Sequence, residues 1–183
     1  MQTFPLFLSL QGRRALVVGG ADAAARKAEL LLKAGAQVSL IAETVGGEVA
    51  QFIAEGRISW AGRSFDESDL EGMSLVIVAS EDESIEARVS AAAQRRCVPV
   101  NVVDRPALSS FIMPAIIDRS PITIAVSTGG TAPALARRIR AEIERSLPAA
   151  LGRLARFAEI FREQVRRTLV VPRARRRFWD RVF

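Results

Sequence analysis

The fold is decided by the stretch Arg14-Ala-Leu-Val-Val-Gly-Gly-Ala-Asp-Ala-Ala-Ala25. It begins as a short apolar run of the kind that forms a buried strand, and two glycines end that run. A helix-period pattern follows from Asp22 to Ala34, and Gly35 is typical of the residue just after a helix. A second apolar run, Gln37 to Ala42, comes at once. The segment therefore predicts a βαβ unit with parallel strands and a right-handed crossover.

Strands and helices continue to alternate as far as residue 103. The pattern predicts a short helix over 48–55, strands over 57–61, 74–79 and 98–103, and a helix from a Ser80-x-x-Glu83 capping box to about Arg96. This alternation is typical of an α/β protein with a Rossmann-like, doubly wound parallel sheet.

The pattern changes after Arg105-Pro106. Two β-like runs, 111–117 and 122–127, flank Asp118-Arg-Ser-Pro121 and predict an antiparallel hairpin. Thr131-Ala-Pro133 then starts a helix to about Leu147, with proline near its first turn. Apolar residues at three- and four-residue intervals from Leu151 to Val165 predict a second, amphipathic helix. We expect a small hairpin and helix unit to follow the sheet.

Composition excludes several classes of protein. The chain has 183 residues, of which 49% are hydrophobic and 25% charged, so wholesale disorder is excluded. No apolar run approaches the roughly 20 residues of a membrane-spanning helix, and residues 1–10 lack the features of a secretory signal, so we expect a cytoplasmic protein. With one cysteine and no histidine, Ser-His-Asp triads and His-ligated zinc are excluded. Any acid–base catalysis must therefore use carboxylates, lysines, hydroxyls or a cofactor.

The positive charge lies in the last quarter of the chain. Residues 137–183 carry 14 arginines against five acidic residues, a net charge of +9, whereas residues 1–136 carry a net charge of −3. Such a block attracts nucleic acid, an anionic surface or a polyanionic small molecule, and a solvated helical face explains it equally well. The terminal aromatic residues Phe178, Trp179 and Phe183 predict an apolar surface that needs a subunit partner or further sequence to cover it.

The first candidate site is the turn Gly19-Gly-Ala-Asp-Ala-Ala24, which resembles the dinucleotide fingerprint G-x-G-x-x-G/A. Ala21 departs from that fingerprint, because a methyl group stands where the backbone approaches the pyrophosphate. About 20 residues further on, Glu43 can accept hydrogen bonds from ribose hydroxyls and repel a 2′-phosphate, which favours NAD over NADP. A tight βα turn in a protein without a cofactor remains the alternative.

The second candidate site is Asn101-Val-Val-Asp104, at the carboxyl end of a predicted core strand. Ligands of open α/β sheets bind beyond these ends, so Asp104 is the best candidate for a general base. An aspartate before Arg105-Pro106 is also a common turn former.

The third candidate site is Ser127-Thr-Gly-Gly-Thr131, which leads into a predicted helix. Free backbone N–H groups and the helix dipole suit such a turn to a phosphate or a carboxylate. An ordinary strand-to-helix turn capped by Thr131 is the alternative.

The order and spacing of these sites resemble the precorrin-2 dehydrogenase/sirohydrochlorin ferrochelatase family, the N-terminal module of sirohaem synthase. The resemblance covers essentially the whole chain. The residues that carry it are Phe4-Pro-Leu-Phe, Val18-Gly-Gly, Arg26-Lys27-Ala, Leu31-Leu-Lys-Ala-Gly35-Ala, Phe65-Asp, Asn101-Val-Val-Asp104, residues 110–121, residues 126–133 and Arg175-Arg-Arg-Phe-Trp179.

The resemblance implies NAD⁺-dependent oxidation of precorrin-2 to sirohydrochlorin, followed by Fe²⁺ insertion to give sirohaem. It implies cofactor contacts at Asp22, Ala23, Glu43 and Thr44. The predicted cofactor-binding residues are these four together with Gly19, Gly20 and Ala21 of the turn. It implies that Asp104 is the catalytic residue and aids chelation through transient metal contact. It places a substrate-binding turn at Thr128, Gly129 and Gly130, to which we add Ser127 and Asn101 as candidates.

The resemblance also implies an intertwined homodimer and a polycarboxylate tetrapyrrole substrate, which gives the basic segment an acidic partner without nucleic acid or a membrane. We expect an NAD-binding Rossmann-like domain over 1–110, a dimerisation region over 111–147 and a basic helical region over 148–183. Two other functions remain open: a chelatase whose NAD site has decayed through Ala21, and a non-catalytic dinucleotide sensor whose basic tail binds nucleic acid.

Overall fold

The structure, a computed structural model, describes residues 3–183. Met1 and Gln2, the start of the segment searched for a secretory signal, lie outside this range. The chain forms two compact units, Met1–Met113 and Pro114–Phe183.

The first unit is built on a five-stranded parallel sheet. Its strands are β1 (Arg14–Val18), β2 (Gln37–Ile41), β3 (Ile58–Gly62), β4 (Leu75–Val78) and β5 (Val100–Val102). Their order in the sheet is β3-β2-β1-β4-β5, and every neighbouring pair is parallel. The chain therefore winds outward from β1 in one direction and from β4 in the other. This reversal creates a switch point between β1 and β4, where open α/β sheets bind ligands.

Helices cover both faces of this sheet, as the sequence predicted. They are α1 (Asp22–Lys33), α2 (Gly47–Ala54) and α3 (Glu83–Arg95), with single 3₁₀ turns at Glu67–Leu70 and Pro106–Leu108. One apolar cluster joins α1 and α2 to the sheet, and a second joins α3 to its other face. Fully buried side chains such as Leu16, Leu40 and Ile77 each contribute about 1.5–3 kcal/mol of transfer free energy.

The predicted start of α3 is wrong by two residues. Asp82, not Ser80, is the N-cap residue, and its carboxylate accepts hydrogen bonds from the N–H groups of Ser84 and Ile85 at 2.8 and 3.3 Å. The Ser80 hydroxyl instead accepts from the Asp82 N–H at 3.1 Å. A carboxylate is a strong cap, because its charge also interacts favourably with the helix dipole.

The second unit combines a hairpin with three helices. Strands β6 (Ala115–Arg119) and β7 (Ile122–Val126) are antiparallel, and α4 (Pro133–Ser146), α5 (Leu151–Thr168) and α6 (Pro172–Val182) follow. A Cβ at Gly152 would lie 2.5 Å from the Arg119 carbonyl oxygen, so glycine permits α5 to approach the hairpin closely. The predicted hairpin is confirmed, but its first strand begins at Ala115 rather than at Phe111, because Phe111 and Met113 pack against the apolar cluster of the first unit.

No helix within residues 3–183 is long and apolar enough to cross a membrane.

Candidate functional site

The turn after β1 requires both of its glycines for backbone packing. Gly19 has φ +128°, and a Cβ on it would lie 2.1 Å from the Ala79 carbonyl oxygen at the end of β4. A Cβ on Gly20 would lie 2.0 Å from the Thr44 carbonyl oxygen in the loop after β2. These distances are far below van der Waals contact, so any side chain would push the three segments apart. The glycines thus bring the turns after β1, β2 and β4 together at the carboxyl edge of the sheet.

The N-terminus of α1 leaves backbone donors for a ligand. Ala21 is its N-cap residue, is exposed, and provides no side-chain cap. The first N–H groups of a helix have no intrahelical partner, and here they point out of the turn at the switch point. This donor set fits a dinucleotide pyrophosphate. Ala21 has φ −94°, which any residue adopts, so its departure from glycine leaves the backbone unstrained.

The loop after β2 carries the two residues predicted to hold the ribose. Glu43 and Thr44 directly follow β2 and its buried neighbour Ala42, and both are exposed. Trp60 fixes this end of β2, because its indole N–H donates to the carbonyl oxygens of Ala42 and Gly62 at 3.2 and 2.9 Å. Asp22 faces the start of α2, where this loop ends, since its Oδ1 lies 3.6 Å from the position of a Cβ on Gly47. The arrangement fits an adenosine ribose that reaches from α1 to Glu43.

Asp104 is an exposed carboxylate at the carboxyl edge, just after β5. It has φ +58°, an uncommon conformation that aspartate tolerates better than most residues. Its side chain makes no hydrogen bond or ion pair with any residue in the range 3–183, so both carboxylate oxygens are available. Electrostatically it acts on Lys27 of α1. Burial lowers the pKa of the Lys27 ammonium, Asp104 partly opposes that change, and Arg26 adds to it.

The backbone around Asp104 is held by neighbours that sequence reasoning missed. Arg105 pairs with Glu83 and with Glu86, whose Oε2 lies 3.4 Å from the Arg105 Nε and whose side chain is only 6% exposed. The hydroxyl of Ser109 accepts from the Val102 N–H at 2.9 Å and so satisfies the open edge of β5. The pattern Arg105-Pro106 gave no signal of these contacts, because their partners lie about 20 residues earlier on α3.

Asn101 is buried, and its amide donates to the Phe111 carbonyl oxygen at 2.9 Å. This bond ties β5 to the segment that leaves the sheet. The contact gives Asn101 a structural role, and its role in substrate binding stays a prediction.

The third predicted site lies in the second unit, in the turn between β7 and α4. Gly129 and Gly130 have φ +66° and +83°, and the Thr128 hydroxyl accepts from the Ala132 N–H at 3.1 Å. Thr131 does not cap α4 as the alternative interpretation assumed. Its hydroxyl donates to the Thr128 carbonyl oxygen at 2.6 Å, and Ala132 occupies the N-cap position. The Ser127 hydroxyl accepts from the Gly129 N–H at 3.1 Å. The Gly130 N–H has no partner among the described residues.

The structure therefore brings most of the predicted residues to one edge of the first unit. They are Gly19, Gly20, Ala21, Asp22, Ala23, Glu43, Thr44 and Asp104, with Asn101 buried beneath them. Ser127, Thr128, Gly129 and Gly130 form their own turn in the second unit. No group of three or more His, Cys, Asp or Glu side chains is placed to hold a metal ion within residues 3–183. The first unit has the fold and the donor set of a dinucleotide-binding domain.

Three family models cover nearly the whole chain. A model described as putative NAD(P)-binding matches residues 6–115, one for the central part of the sirohaem biosynthesis protein matches residues 119–146, and one for the sirohaem synthase dimerisation region matches residues 150–183.

Curated relatives give the same result. The siroheme synthase of Methylobacillus flagellatus is 48% identical over 183 residues, which are 100% of this chain and 39% of the relative. The siroheme synthase of Pseudomonas fluorescens is 49% identical over the same share of both chains. This chain thus spans about two fifths of the length of these relatives. A solved precorrin-2 dehydrogenase, SirC, has the same fold, with a TM-score of 0.80, 24% identity, and coverage of 99% of this chain and 89% of its own.

These matches define a class of protein, an NAD(P)-binding α/β domain followed by a sirohaem-synthase central and dimerisation unit. Within that class, the chain belongs to the sirohaem synthase family, as its matches to the three models and its 48% identity to a siroheme synthase show.

Proposed function

We propose that this chain oxidises precorrin-2 to sirohydrochlorin with NAD⁺. The observation that carries the proposal is the pairing of two features at one edge of the first unit. Free N–H groups at the start of α1 follow β1, and the free carboxylate of Asp104 follows β5, with only β4 between the two strands. Neighbouring strands are about 4.8 Å apart, so this spacing suits a cofactor that runs across the switch point toward Asp104.

The residues after β1 and β2 would bind and orient the cofactor. Backbone N–H groups of Asp22 and Ala23 would hold the pyrophosphate, and Glu43 would accept from the ribose hydroxyls. A carboxylate at Glu43 repels a 2′-phosphate, so we expect NAD⁺ to bind more tightly than NADP⁺. When bound, NAD⁺ supplies the hydride acceptor that the side chains of this chain lack.

Asp104 would take the proton that the substrate loses during dehydrogenation. Its carboxylate is exposed and has no other partner within residues 3–183, so it can reach a bound tetrapyrrole. The contacts of Arg105 with Glu83 and Glu86 hold the adjoining backbone in place. A positioned base of this kind contributes on the order of 10²–10⁴ in rate.

The turn of the second unit would bind a carboxylate of the substrate. Gly130 offers a free backbone N–H, and the hydroxyls of Ser127 and Thr128 lie in the same turn. The net charge of +9 over residues 137–183 would raise the local concentration of a polycarboxylate.

A homodimer is part of the proposal. Helix α5 exposes Phe157, Ile160 and Phe161, and the side chain of Ile160 is 74% exposed. This helix lies in the segment that the dimerisation model matches. Three large apolar side chains on one helix favour coverage by a second copy of the chain.

We further propose that the chain inserts Fe²⁺ into sirohydrochlorin. A free carboxylate at Asp104 is a hard oxygen ligand, which holds a divalent ion loosely enough to release it to the macrocycle. Metallation of sirohydrochlorin without NAD⁺ would test this step separately, and it would distinguish a bifunctional enzyme from a dehydrogenase alone.

The test of the main proposal is NADH formation from precorrin-2 under anaerobic conditions. We expect turnover by the unsubstituted chain, and a loss of at least about 100-fold in an Asp104→Asn variant that still binds NAD⁺. A correctly folded chain that forms no NADH would refute the proposal.

A further inference from the structure

The lysines of this chain are unusual in number and position. The sequence holds 24 arginines but only two lysines, Lys27 and Lys33, and both lie on α1. Lys33 is exposed and pairs with Glu29 at 2.8 Å. Lys27 is half-buried, and it makes no hydrogen bond or ion pair with any residue in the described range 3–183. One of the two lysines is therefore a partly desolvated cation with unused donors.

The packing of α1 places Lys27 beside the candidate base. Lys27 is three residues after Ala24 and four before Leu31, both of which are buried in the first apolar cluster. Val103 packs against that same cluster, and Asp104 is the next residue. The electrostatic effect of Asp104 on Lys27 agrees with this placement. The ammonium thus lies at the buried side of α1, within electrostatic range of the Asp104 carboxylate.

A half-buried ammonium without a partner is costly, because burial removes part of its hydration. The cost falls when an anion supplies the missing hydrogen bonds. An ammonium has three donors, so Lys27 can interact with Asp104 and still bind a second carboxylate. In a partly desolvated site such a charge-assisted contact is stronger than in water.

We propose that Lys27 is a substrate-binding residue whose ammonium binds one carboxylate of the tetrapyrrole beside Asp104. This inference rests on the proposed function, since it assigns a position to the same polycarboxylate substrate.

The direct test compares Lys27→Met with Lys33→Met in the full chain. Methionine keeps the length of the stem and removes the charge, and Lys33 supplies a control on the same helix. We expect Lys27→Met to bind sirohydrochlorin at least about tenfold more weakly, with unchanged affinity for NAD⁺, and Lys33→Met to behave as the parent. Unchanged sirohydrochlorin affinity would overturn the inference. An equal loss of NAD⁺ affinity would overturn it too, because Lys27 would then serve the cofactor pyrophosphate.

A pH series separates charge from packing. The charged form of Lys27 binds carboxylates, and burial lowers its pKa, so affinity for sirohydrochlorin should fall as pH rises through that lowered pKa. Asp104 and Arg26 are the charged groups that act on it, in opposite directions. Lys27→Arg keeps its charge and should retain affinity at the same alkaline pH. Parallel profiles for the parent and Lys27→Arg would contradict the inference.

Amine labelling gives a test that needs no variant. The amines that acetic anhydride can acetylate in this chain are the two lysines and the N-terminus, and peptide mass spectrometry distinguishes them. Sirohydrochlorin should slow acetylation of Lys27 and leave Lys33 unaffected, and equal rates with and without it would overturn the inference. If sirohydrochlorin protects Lys27 but the chain does not oxidise precorrin-2, the proposed function fails and the binding role stands.

Discussion

Ala21→Ser should make the protein more stable and its cofactor binding weaker. Ala21 is the N-cap residue of α1, with φ −94° and ψ −177°, the extended conformation in which serine caps a helix. A serine hydroxyl there can accept a hydrogen bond from the N–H of Ala23, one of the two groups proposed to hold the pyrophosphate. Helix α3 shows the geometry, because the Asp82 carboxylate accepts from the N–H groups two and three residues further on at 2.8 and 3.3 Å.

Both the gain in stability and the loss of NAD⁺ affinity come from one backbone N–H, which would bind the serine hydroxyl instead of the pyrophosphate. A serine cap in place of alanine stabilises a helix by about 1 kcal/mol, which raises the unfolding temperature of a chain of this size by roughly 2–4 °C. The same N–H is then no longer free for the pyrophosphate. Loss of one hydrogen bond to a charged group costs about 1.5–3 kcal/mol, which is tenfold or more in affinity for NAD⁺.

Thermal unfolding by circular dichroism, with and without saturating NAD⁺, tests both effects at once. The serine variant should unfold at a higher temperature than the parent alone and gain less from NAD⁺. Ala21→Gly is the matched control, because it adds no acceptor and should bind NAD⁺ at least as tightly as the parent. The reasoning is refuted if the serine variant is more stable and still binds NAD⁺ with the parent's affinity.

Three further predictions concern other parts of the first unit. Asp104→Asn should lower precorrin-2 turnover by at least about 100-fold, because it removes the proposed base. Its circular dichroism should be unchanged, since asparagine tolerates φ +58° as aspartate does. Normal turnover would remove Asp104 from the mechanism. Gly20→Ala should lower the free energy of unfolding by several kcal/mol and abolish NAD⁺ binding, because its Cβ would lie 2.0 Å from the Thr44 carbonyl oxygen. A folded variant with the parent's affinity for NAD⁺ would show that this close approach is unnecessary. Hydrogen bonds from Ser84 lower the pKa of Asp82. The stabilising contribution of this carboxylate is therefore present above the ordinary aspartate pKa and is lost as pH falls through the lowered pKa. Asp82→Asn, which caps without charge, should show a smaller fall in unfolding temperature below about pH 4, and identical pH profiles would contradict this.

Much of the fold follows from local patterns. The run Arg14–Val18 and the helix period after it predict β1 and α1 within one residue, because apolar periodicity and Gly35 mark both ends. The start of α3 was missed because Ser80 and Asp82 are both good caps two residues apart, and only the folded loop decides between them. The start of β6 was missed because Phe111 and Met113 are apolar for another reason, their packing on the first unit.

The candidate site is predictable in its residues but not in its contacts. The position of Asp104 after a core strand follows from the sequence, since parallel strands end at a common edge. Its left-handed backbone and free carboxylate do not, because no local pattern specifies them, and the neighbouring contacts of Arg105 with α3 join residues about 20 apart in the chain. Lys27 gave no local signal either. Its half-buried position depends on the packing of α1 against the sheet, and its proximity to Asp104 joins residues far apart in the chain.

Cofactor binding can be measured by calorimetric titration of the purified chain with NAD⁺, without the tetrapyrrole substrate. We expect saturable binding of NAD⁺ and weaker binding of NADP⁺, because the free N–H groups of α1 would bind the pyrophosphate and Glu43 would select the unphosphorylated ribose. Absence of NAD⁺ binding by the folded chain would contradict it. If Ala21→Gly then restored binding, the chain would be a chelatase or carrier whose cofactor site has decayed.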